Sequence, residues 1–313
     1  MSRFRFGACL WLSLPLLMST SVVGAAGLNV NCAAKEGLHS IGAALKILQN
    51  AEGRGPTTIN VSGACHENVV IQSIDRLTLN AVNGASVSDA SGGKLDVIDI
   101  FDSRDVAISG FTINAGSDGT GGANGIGCGD WSTCRLSGNV IQGAASGAGF
   151  SVFQASLATL DGDTLQNNSI GLLVLSGSRV RAGGNRPFTS RGNERGIDLR
   201  RDAFAYVGAV VENSSDVGVA VAFHSTLELT GGSISGSGSV GALVRESSFA
   251  RFTFSSITGN AGGGVAYSDL SMGDFGATTV SGNGGQLDVV CNPQFSATRG
   301  TGTINGTTNC VEP

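Results

Sequence analysis

The sequence predicts a single-domain, all-β parallel solenoid, and three observations lead to that fold class. Short apolar runs rich in β-branched residues recur at nearly constant intervals along the 313 residues. Glycine, serine and asparagine separate these runs, and the chain holds 49 glycines but only two tryptophans and two tyrosines. The hydrophobic share of 41% is too high for a disordered chain. Such a chain buries its apolar residues between stacked coils.

Residues 1–26 predict an export signal. Arg3 and Arg5 give a positive start, an apolar run extends from Cys9 to Val23, and small residues up to Ala26 fit a cleavage site. The run is short for a spanning helix, which needs ~20 apolar residues, and no later run is longer. We therefore expect a secreted chain, periplasmic or extracellular, with no membrane span after cleavage.

The charge of the chain excludes one class of partner. Cleavage near Ala26 removes two arginines and no acid, which changes the formal net charge from −5 to −7. An acidic chain lacks the basic patch that releases counterions from phosphates, so we expect no nucleic acid partner. The expected state is a monomer.

A glycine followed by an apolar residue marks each repeat, at intervals of 22 to 25 residues. These anchors are Gly125-Ile126, Gly149-Phe150, Gly171-Leu172, Gly196-Ile197, Gly218-Val219, Gly241-Ala242 and Gly264-Val265. Because strand side chains alternate between faces, the apolar residue of each anchor and the residue two positions later should point inward. The resulting second column is Cys128, Val152, Val174, Leu199, Val221, Val244 and Tyr267. An antiparallel sandwich would not keep this register over seven successive coils.

The coils are assigned to residues 57–290, because less regular strand-like segments continue the pattern before residue 125. Residues 27–56 are assigned to an N-terminal cap. Within it, Ile41, Leu45 and Leu48 have helical spacing, which predicts a helix over residues 37–50. A helix there would cover the open end of the solenoid.

Six cysteines remain in the mature chain, an even number that is typical of disulfide bonds in exported proteins. Their proximity in sequence favours the pairs Cys32–Cys65, Cys128–Cys134 and Cys291–Cys310, although six cysteines allow 15 pairings. A zinc site is the alternative, but the sequence has no CxxC motif and no neighbouring histidine cluster. The last pair would close a C-terminal cap formed by residues 291–313.

The repeats resemble the right-handed parallel β-helix of the pectate-lyase-like superfamily, in particular uncharacterised secreted bacterial proteins of that type. The resemblance covers about residues 55–305 and implies three parallel sheets per coil. It implies no particular reaction, since the residue sets of the enzymes are missing. The NTD, DD, GHG and RIK segments of polygalacturonase-like proteins are absent. So are the DPHD segment of mannuronan-epimerase-like proteins and the paired Gln and Asp with Arg of pectin-methylesterase-like proteins.

The best candidate for chemistry is the polar coil at residues 196–204. Asp198 and Arg200 fall on outward positions, and Asp202 shares a column with His224 on the next coil. A carboxylate beside an imidazole could position or charge it for acid–base catalysis, and Arg200 could hold an acidic sugar. The alternative is a solvated face, where exposed ion pairs contribute little to stability.

Four further residues are candidates for ligand binding. Arg245 shares the column of Arg200, while Arg201 shares one with Glu246. Trp131, inside the predicted Cys128–Cys134 loop, could stack on a sugar ring or simply pack against its own loop.

The sequence predicts no metal and no cofactor, with one possible exception. Calcium could bind at a second set of acidic residues. The set is Asp96, Asp99, Asp102 and Asp105. Carboxylate oxygens on a rigid face suit calcium, but the spacing matches no EF-hand loop, and one strand cannot direct all four at one ion.

Two functional hypotheses follow. In the first, the protein is a non-catalytic module that binds a polysaccharide or a cell-surface glycan. In the second, it is a polysaccharide lyase or glycoside hydrolase acting on the outer face between Asp198 and His224. Long loops on both sides of that face would favour the enzyme, whereas a face without them would favour binding.

Overall fold

The computed structural model describes most of the chain outside the predicted signal segment, which lies outside the described residues up to Ala25. The described ranges are 26–50, 56–116, 122–183, 186–292, 297–299 and 306–310. In them the chain forms one helix and 32 strands, which belong to three parallel sheets.

Each coil contributes one strand to each sheet in turn. Sheet 1 contains β1 (Ala26–Asn31), β2 (Thr57–Ser62), β5 (Leu77–Ala81), β8 (Val106–Ser109), β11 (Thr133–Ser137), β14 (Leu157–Asp161), β17 (Arg179–Ala182), β20 (Phe204–Val207), β23 (Thr226–Thr230), β26 (Phe249–Thr253), β29 (Met272–Gly276) and β32 (Ala297–Arg299). Sheet 2 contains β3 (Ala64–His66), β6 (Ser86–Ser88), β9 (Thr112–Asn114), β12 (Val140–Gln142), β15 (Thr164–Gln166), β18 (Phe188–Arg191), β21 (Ala209–Glu212), β24 (Ser233–Ser235), β27 (Ser256–Thr258) and β30 (Thr279–Ser281). Sheet 3 contains β4 (Val69–Gln72), β7 (Ile98–Phe101), β10 (Ile126–Gly129), β13 (Ala148–Val152), β16 (Ile170–Leu175), β19 (Arg195–Arg200), β22 (Val219–Val221), β25 (Val240–Val244), β28 (Gly263–Tyr267) and β31 (Val289–Cys291).

The predicted parallel β-solenoid is confirmed, and so is its register. The two inward columns of sheet 3 pair residue by residue from β10 to β28, beginning with Ile126 opposite Phe150 and Cys128 opposite Val152. All members of both columns are buried. The interior is therefore a continuous apolar core that no single coil could bury by itself.

The recurrent anchor glycine has a steric cause. A Cβ atom added to Gly171 would lie 2.5 Å from the carbonyl oxygen of Gly196, and one added to Gly218 would lie 2.6 Å from that of Gly241. The backbones of successive coils thus approach too closely at this corner for any side chain. The repeat that is visible in the sequence reflects this close approach.

The turn from sheet 3 to sheet 1 is short and left-handed. Arg201 and Asp202 both have φ of 60°, and the equivalent Phe223 and His224 have φ of 54° and 59°. The left-handed backbone conformation costs non-glycine residues conformational energy, but here it allows the chain to turn within two residues. A column of buried serines follows, in which for example the Ser225 backbone N–H donates to Ser248 Oγ at 3.2 Å.

A second polar ladder lines the corner between sheets 2 and 3. The backbone N–H of Asn168 donates to Asn193 Oδ1 at 2.8 Å, and that of Asn260 donates to Asn283 Oδ1 at 3.1 Å. Side-chain amides thereby satisfy backbone donors that the turn would otherwise leave unpaired. Turn asparagines such as Asn260 therefore have a structural role.

The N-terminal helix α1 spans Ile41–Asn50, so the predicted start at residue 37 is four residues too early. Ser40 Oγ accepts from the Ala43 N–H at 3.1 Å, and the Glu67 carboxylate accepts from the N–H groups of Ile41 and Gly42. These acceptors fix the helix start. His39 precedes the helix rather than lying in it.

The helix packs on the end of the solenoid, with Ile41 and Leu45 buried and Leu48 against the same core. No helix in the described ranges is long and apolar enough to cross a membrane.

All three predicted disulfide bonds are confirmed. Cys32–Cys65 joins the N-terminal cap to the first coil, Cys128–Cys134 bridges one turn from sheet 3 to sheet 1, and Cys291–Cys310 ties the last described segment to β31. Two bonds thus lie at the ends of the solenoid, where coils have a neighbour on one side only.

Candidate functional site

The outer face of sheet 3 carries a charged cluster centred on Asp198. In β19, Ile197 and Leu199 point into the core, while Asp198 and Arg200 lie on the outer side, as predicted. The outer column runs from Leu173 through Asp198 to Ala220 on the next coil. A charged residue here is surrounded by apolar neighbours on the adjacent strands.

Asp198 is nevertheless only 1% exposed, because two arginines cover it. Arg200 Nε donates to Asp198 Oδ1 at 2.8 Å, and its Nη2 donates to Oδ2 of the same carboxylate. Arg195 Nη1 donates to Oδ2 from the other side at 3.1 Å. A buried carboxylate is tolerable only with such compensation, and here it fixes two guanidinium groups in place.

Arg195 remains cationic in this position. Burial lowers its pKa, but the hydrogen bond to Asp198 and the charges of Asp198 and Asp216 outweigh burial and raise the pKa above its ordinary value. Its Nε lies 3.5 Å from the Asp216 carboxylate. Three arginines, Arg195, Arg200 and the exposed Arg245, line this region together with the carboxylates of Asp198 and Asp216. A third carboxylate, that of Glu246, lies 3.9 Å from Arg245 Nε.

These side chains line a depression of about 310 Å³, here called the arginine hollow. Its residues are Arg195, Asp198, Arg200, Asp216, Val217, Ala220, Ala222, Ser239, Val240, Leu243 and Arg245. Ala220 and Ala222 form its floor, because these small residues of the coil that contains β22 lie between the larger side chains of the two flanking coils. Arg200 and Arg245 are two coils apart, or roughly 9.6 Å along the solenoid axis.

Asp202 and His224 lie in adjacent coils, in the left-handed turns that follow β19 and β22. The Asp202 N–H donates to the Phe223 carbonyl, and the His224 N–H donates to the Glu246 carbonyl, each at 3.0 Å. Both side chains are exposed, and in the described part of the chain no hydrogen bond or ion pair joins them. The structure thus brings the two backbones together but does not couple the carboxylate to the imidazole.

The remaining predicted binding residues surround this region. Arg201 is exposed beside Phe223, and Arg245 Nε lies 3.9 Å from Glu246 Oε1. Trp131 occupies the same turn column as Asp202, three coils or roughly 14 Å earlier. Trp131 is 76% exposed, so most of its surface is accessible to solvent.

Sequence reasoning missed Arg195 and Asp216. Strict alternation gives Arg195 the inward parity of Ile197, but it begins the strand, where the coil leaves the preceding turn. Asp216 lies in that turn of the next coil, between β21 and β22. The repeat period did not assign either residue to this face, because the turns between sheets 2 and 3 differ in length and interrupt the periodicity.

Within the acidic set considered for calcium, Asp96 and Asp99 lie near each other, while Asp102 and Asp105 have partners of their own. Asp96 accepts from the backbone and side chain of Asn124, Asp102 accepts from Ser73 Oγ at 2.9 Å, and Asp105 pairs with Arg135 at 2.7 Å. Asp99 lies on the outer face of sheet 3 near Asp96.

Among the described residues, Cys32, Cys65 and Glu67 are the one group of three that metal-ligand distances bring together. Its cysteines form a disulfide bond, so this group does not offer thiolate ligands.

The chain is a parallel β-helix protein, and solved structures share the fold. The A-module of the mannuronan C-5 epimerase AlgE4 from Azotobacter vinelandii has a TM-score of 0.59 at 13% identity, over 91% of this chain and 98% of that one. The A-module of AlgE6 from the same organism has a TM-score of 0.56 at 13% identity, over 85% and 82%. No protein-family model matches the sequence, and no curated protein matches it.

Proposed function

We propose that this protein is an exported, non-catalytic module that binds acidic polysaccharides in the arginine hollow. The observation that carries the proposal is the pair of guanidinium groups that buried Asp198 holds beside a depression, with Arg245 on the opposite wall. Arg195 and Arg200 each keep N–H donors that Asp198 does not use. A planar sugar carboxylate suits such donors, and their fixed position lowers the entropy cost of binding.

Two further features support this ligand class. The mannuronan epimerases with the same fold act, by name, on a polysaccharide whose sugars carry carboxylates. Three disulfide bonds fit an exported protein, which meets polysaccharides outside the cytoplasm.

Binding without catalysis is favoured by the shallowness of the face. The connection between β19 and β20 has three residues, and the one between β21 and β22 has six, so neither of these two connections is long enough to enclose the hollow. The DPHD segment of epimerase-like proteins is absent from the sequence. A lyase or hydrolase acting between Asp198 and His224 remains the competing proposal, and the experiment below separates the two.

Calorimetric titration of polymannuronate into the mature chain tests the proposal. We expect binding that weakens with salt, and about tenfold or greater loss of affinity in Arg245→Gln and Arg200→Gln, because losing a hydrogen bond to a charged group costs ~1.5–3 kcal/mol. Arg251→Gln is the matched control, since Arg251 is an equally charged residue on sheet 1, paired with Asp274. Arg245 is exposed, and the Glu246 carboxylate beside it is partly exposed and 3.9 Å away, so the Arg245 variant should fold normally.

Equal affinity of Arg245→Gln and wild type would contradict the proposed site, and absence of polymannuronate binding would contradict the ligand class. The same mixtures also test the competing proposal. Unsaturated products or new reducing ends would show that the protein is a lyase or a hydrolase, provided that Asp202→Ala and His224→Ala abolish them.

A further inference from the structure

Sheet 1 carries a second depression, which lies on a different sheet from the arginine hollow and has a different composition. One part has a volume of about 490 Å³ and lies over β11, β14, β17 and β20. A neighbouring part of about 420 Å³ continues beyond it, and Arg181 and Tyr206 line both parts. We call the two parts together the tyrosine groove. Four coils span roughly 14 Å along the solenoid axis, enough for several consecutive sugar residues.

The walls of the groove combine apolar surface with positive charge. Tyr206 is 37% exposed and Leu157 is 49% exposed, so both present apolar surface to the groove. The Arg181 guanidinium lies 5.8 Å from the centre of the Tyr206 ring. Beyond Tyr206, glycines at positions 183, 208 and 231 leave its flank open. A flat ring beside open space is a suitable surface for stacking a pyranose.

The charge of the groove is not compensated as it is elsewhere on sheet 1. Arg179 and Arg181 lie on the same face of β17, and among the described residues no carboxylate lies within ion-pair distance of either. Further along the sheet, Arg251 pairs with both Glu228 and Asp274. Like charges at successive outward positions of one strand repel each other, and an anion bound beside both would offset that repulsion.

Arg135 adds a third guanidinium at the far end of the groove, two coils before Arg181. It pairs with Asp105 at 2.7 Å, but both side chains are about half exposed, so a ligand can compete for it. Charges two coils apart, or roughly 9.6 Å, match a polymer with repeated carboxylates better than a small anion.

We propose that the tyrosine groove is a second binding site for acidic polysaccharide, in which sugar rings stack on Tyr206 and carboxylates bind Arg179 and Arg181. This inference rests on the ligand class proposed above but not on the arginine hollow. Since the two sites lie on different sheets, one molecule can hold two polysaccharide chains. The protein is then a cross-linker, and avidity exceeds the affinity of either site.

The test uses Arg181→Gln and Tyr206→Ala in the Arg245→Gln background, where the hollow is impaired. Titration with a short oligomannuronate should show about tenfold weaker residual binding in each, because each removes a charge-assisted hydrogen bond or a stacking surface. Arg251→Gln in the same background should bind like its parent. Light scattering with long polymannuronate should show aggregates for wild type, and none for a variant impaired at either site alone.

Unchanged affinity of Arg181→Gln and Tyr206→Ala in that background overturns the second site. A protein dimer that dissociates in Arg181→Gln, detected by sedimentation without ligand, also overturns it, because the occupant is then a second copy of the chain. If Arg245→Gln alone has no effect while the groove variants weaken binding, the groove stands and the arginine hollow does not.

Discussion

At the scale of single residues, the carboxyl of Asp99 differs most clearly from its ordinary behaviour on the outer face of sheet 3. Burial and the nearby charges of Asp96 and Asp130 raise its pKa to about 6. Burial also raises the pKa of Asp163 to about 6, although Asn139 donates two hydrogen bonds to it. In both cases the surroundings disfavour the charged form more than the available donors stabilise it.

We predict that Asp99→Asn reduces the pH dependence of stability. The folded chain binds this proton more tightly than the unfolded chain, so the stabilising contribution is present at low pH and lost as pH rises from about 4 through about 6. Because the side chain is only half-buried, we expect about 1 kcal/mol from it. Urea unfolding at pH 4 and pH 7.5 measures the change.

Asp99→Asn should remove only part of the decrease in the free energy of unfolding between these pH values, since Asp163 still contributes to it. If the free energy of unfolding differs between the two pH values by the same amount in Asp99→Asn and wild type, the folded chain does not destabilise the charged form of Asp99.

At the scale of elements, the asparagine ladder supplies the hydrogen bonds that the backbone needs at the corner between sheets 2 and 3. Asn260 is fully buried, and its Oδ1 accepts from the Ser237 N–H at 3.0 Å while its amide donates to Asn283 Oδ1 at 2.9 Å. Where serines replace asparagines in this column, at Ser214 and Ser237, the buried hydroxyl oxygens lack partners among the described residues. The shorter side chain does not reach the next coil.

Asn260→Ala should therefore destabilise the fold by about 2–3 kcal/mol, since it leaves a buried backbone donor unsatisfied and removes an amide ladder contact. Ser215→Ala is the control, because this turn serine is exposed and its change should stay within about 0.5 kcal/mol. Chemical denaturation of both variants gives the comparison. Equal stability of the two would mean that the ladder does not stabilise the corner.

At the scale of the whole molecule, a solenoid is stabilised by contacts between neighbouring coils, so it opens first at its ends. The disulfide bonds Cys32–Cys65 and Cys291–Cys310 close segments with sequence separations of 33 and 19 residues at those ends. The central Cys128–Cys134 bond has a separation of only six residues. Of the three bonds, its removal should increase the conformational entropy of the unfolded chain least.

We predict that replacing Cys291 and Cys310 by serine destabilises the chain by about 3 kcal/mol and replacing Cys128 and Cys134 by about 2 kcal/mol. Hydrogen exchange should show early loss of protection in β28 and β31 for the first variant, with the first coils still protected. Loss of protection spread evenly over all coils would contradict opening from the ends.

The sequence by itself determined the coils of this protein. The anchor glycines and the two apolar columns repeat with a period that stacked strands satisfy, and Ile41, Leu45 and Leu48 have the spacing of a helix face. The disulfide pairs followed from proximity along the chain. These features are local or strictly periodic, so they can be read from residue spacing.

Only the tertiary structure decided which charges are compensated. Asp198 was predicted on the outer face, but its burial under Arg195 and Arg200 depends on side-chain directions in a coil whose preceding turn breaks the period. The uncompensated Arg179 and Arg181 likewise depend on which residues face them on the adjacent strands, and these are Leu157, Thr159, Phe204 and Tyr206 rather than acids. Compensation of charge is a property of three-dimensional distances within a few ångströms, and spacing in sequence does not encode it.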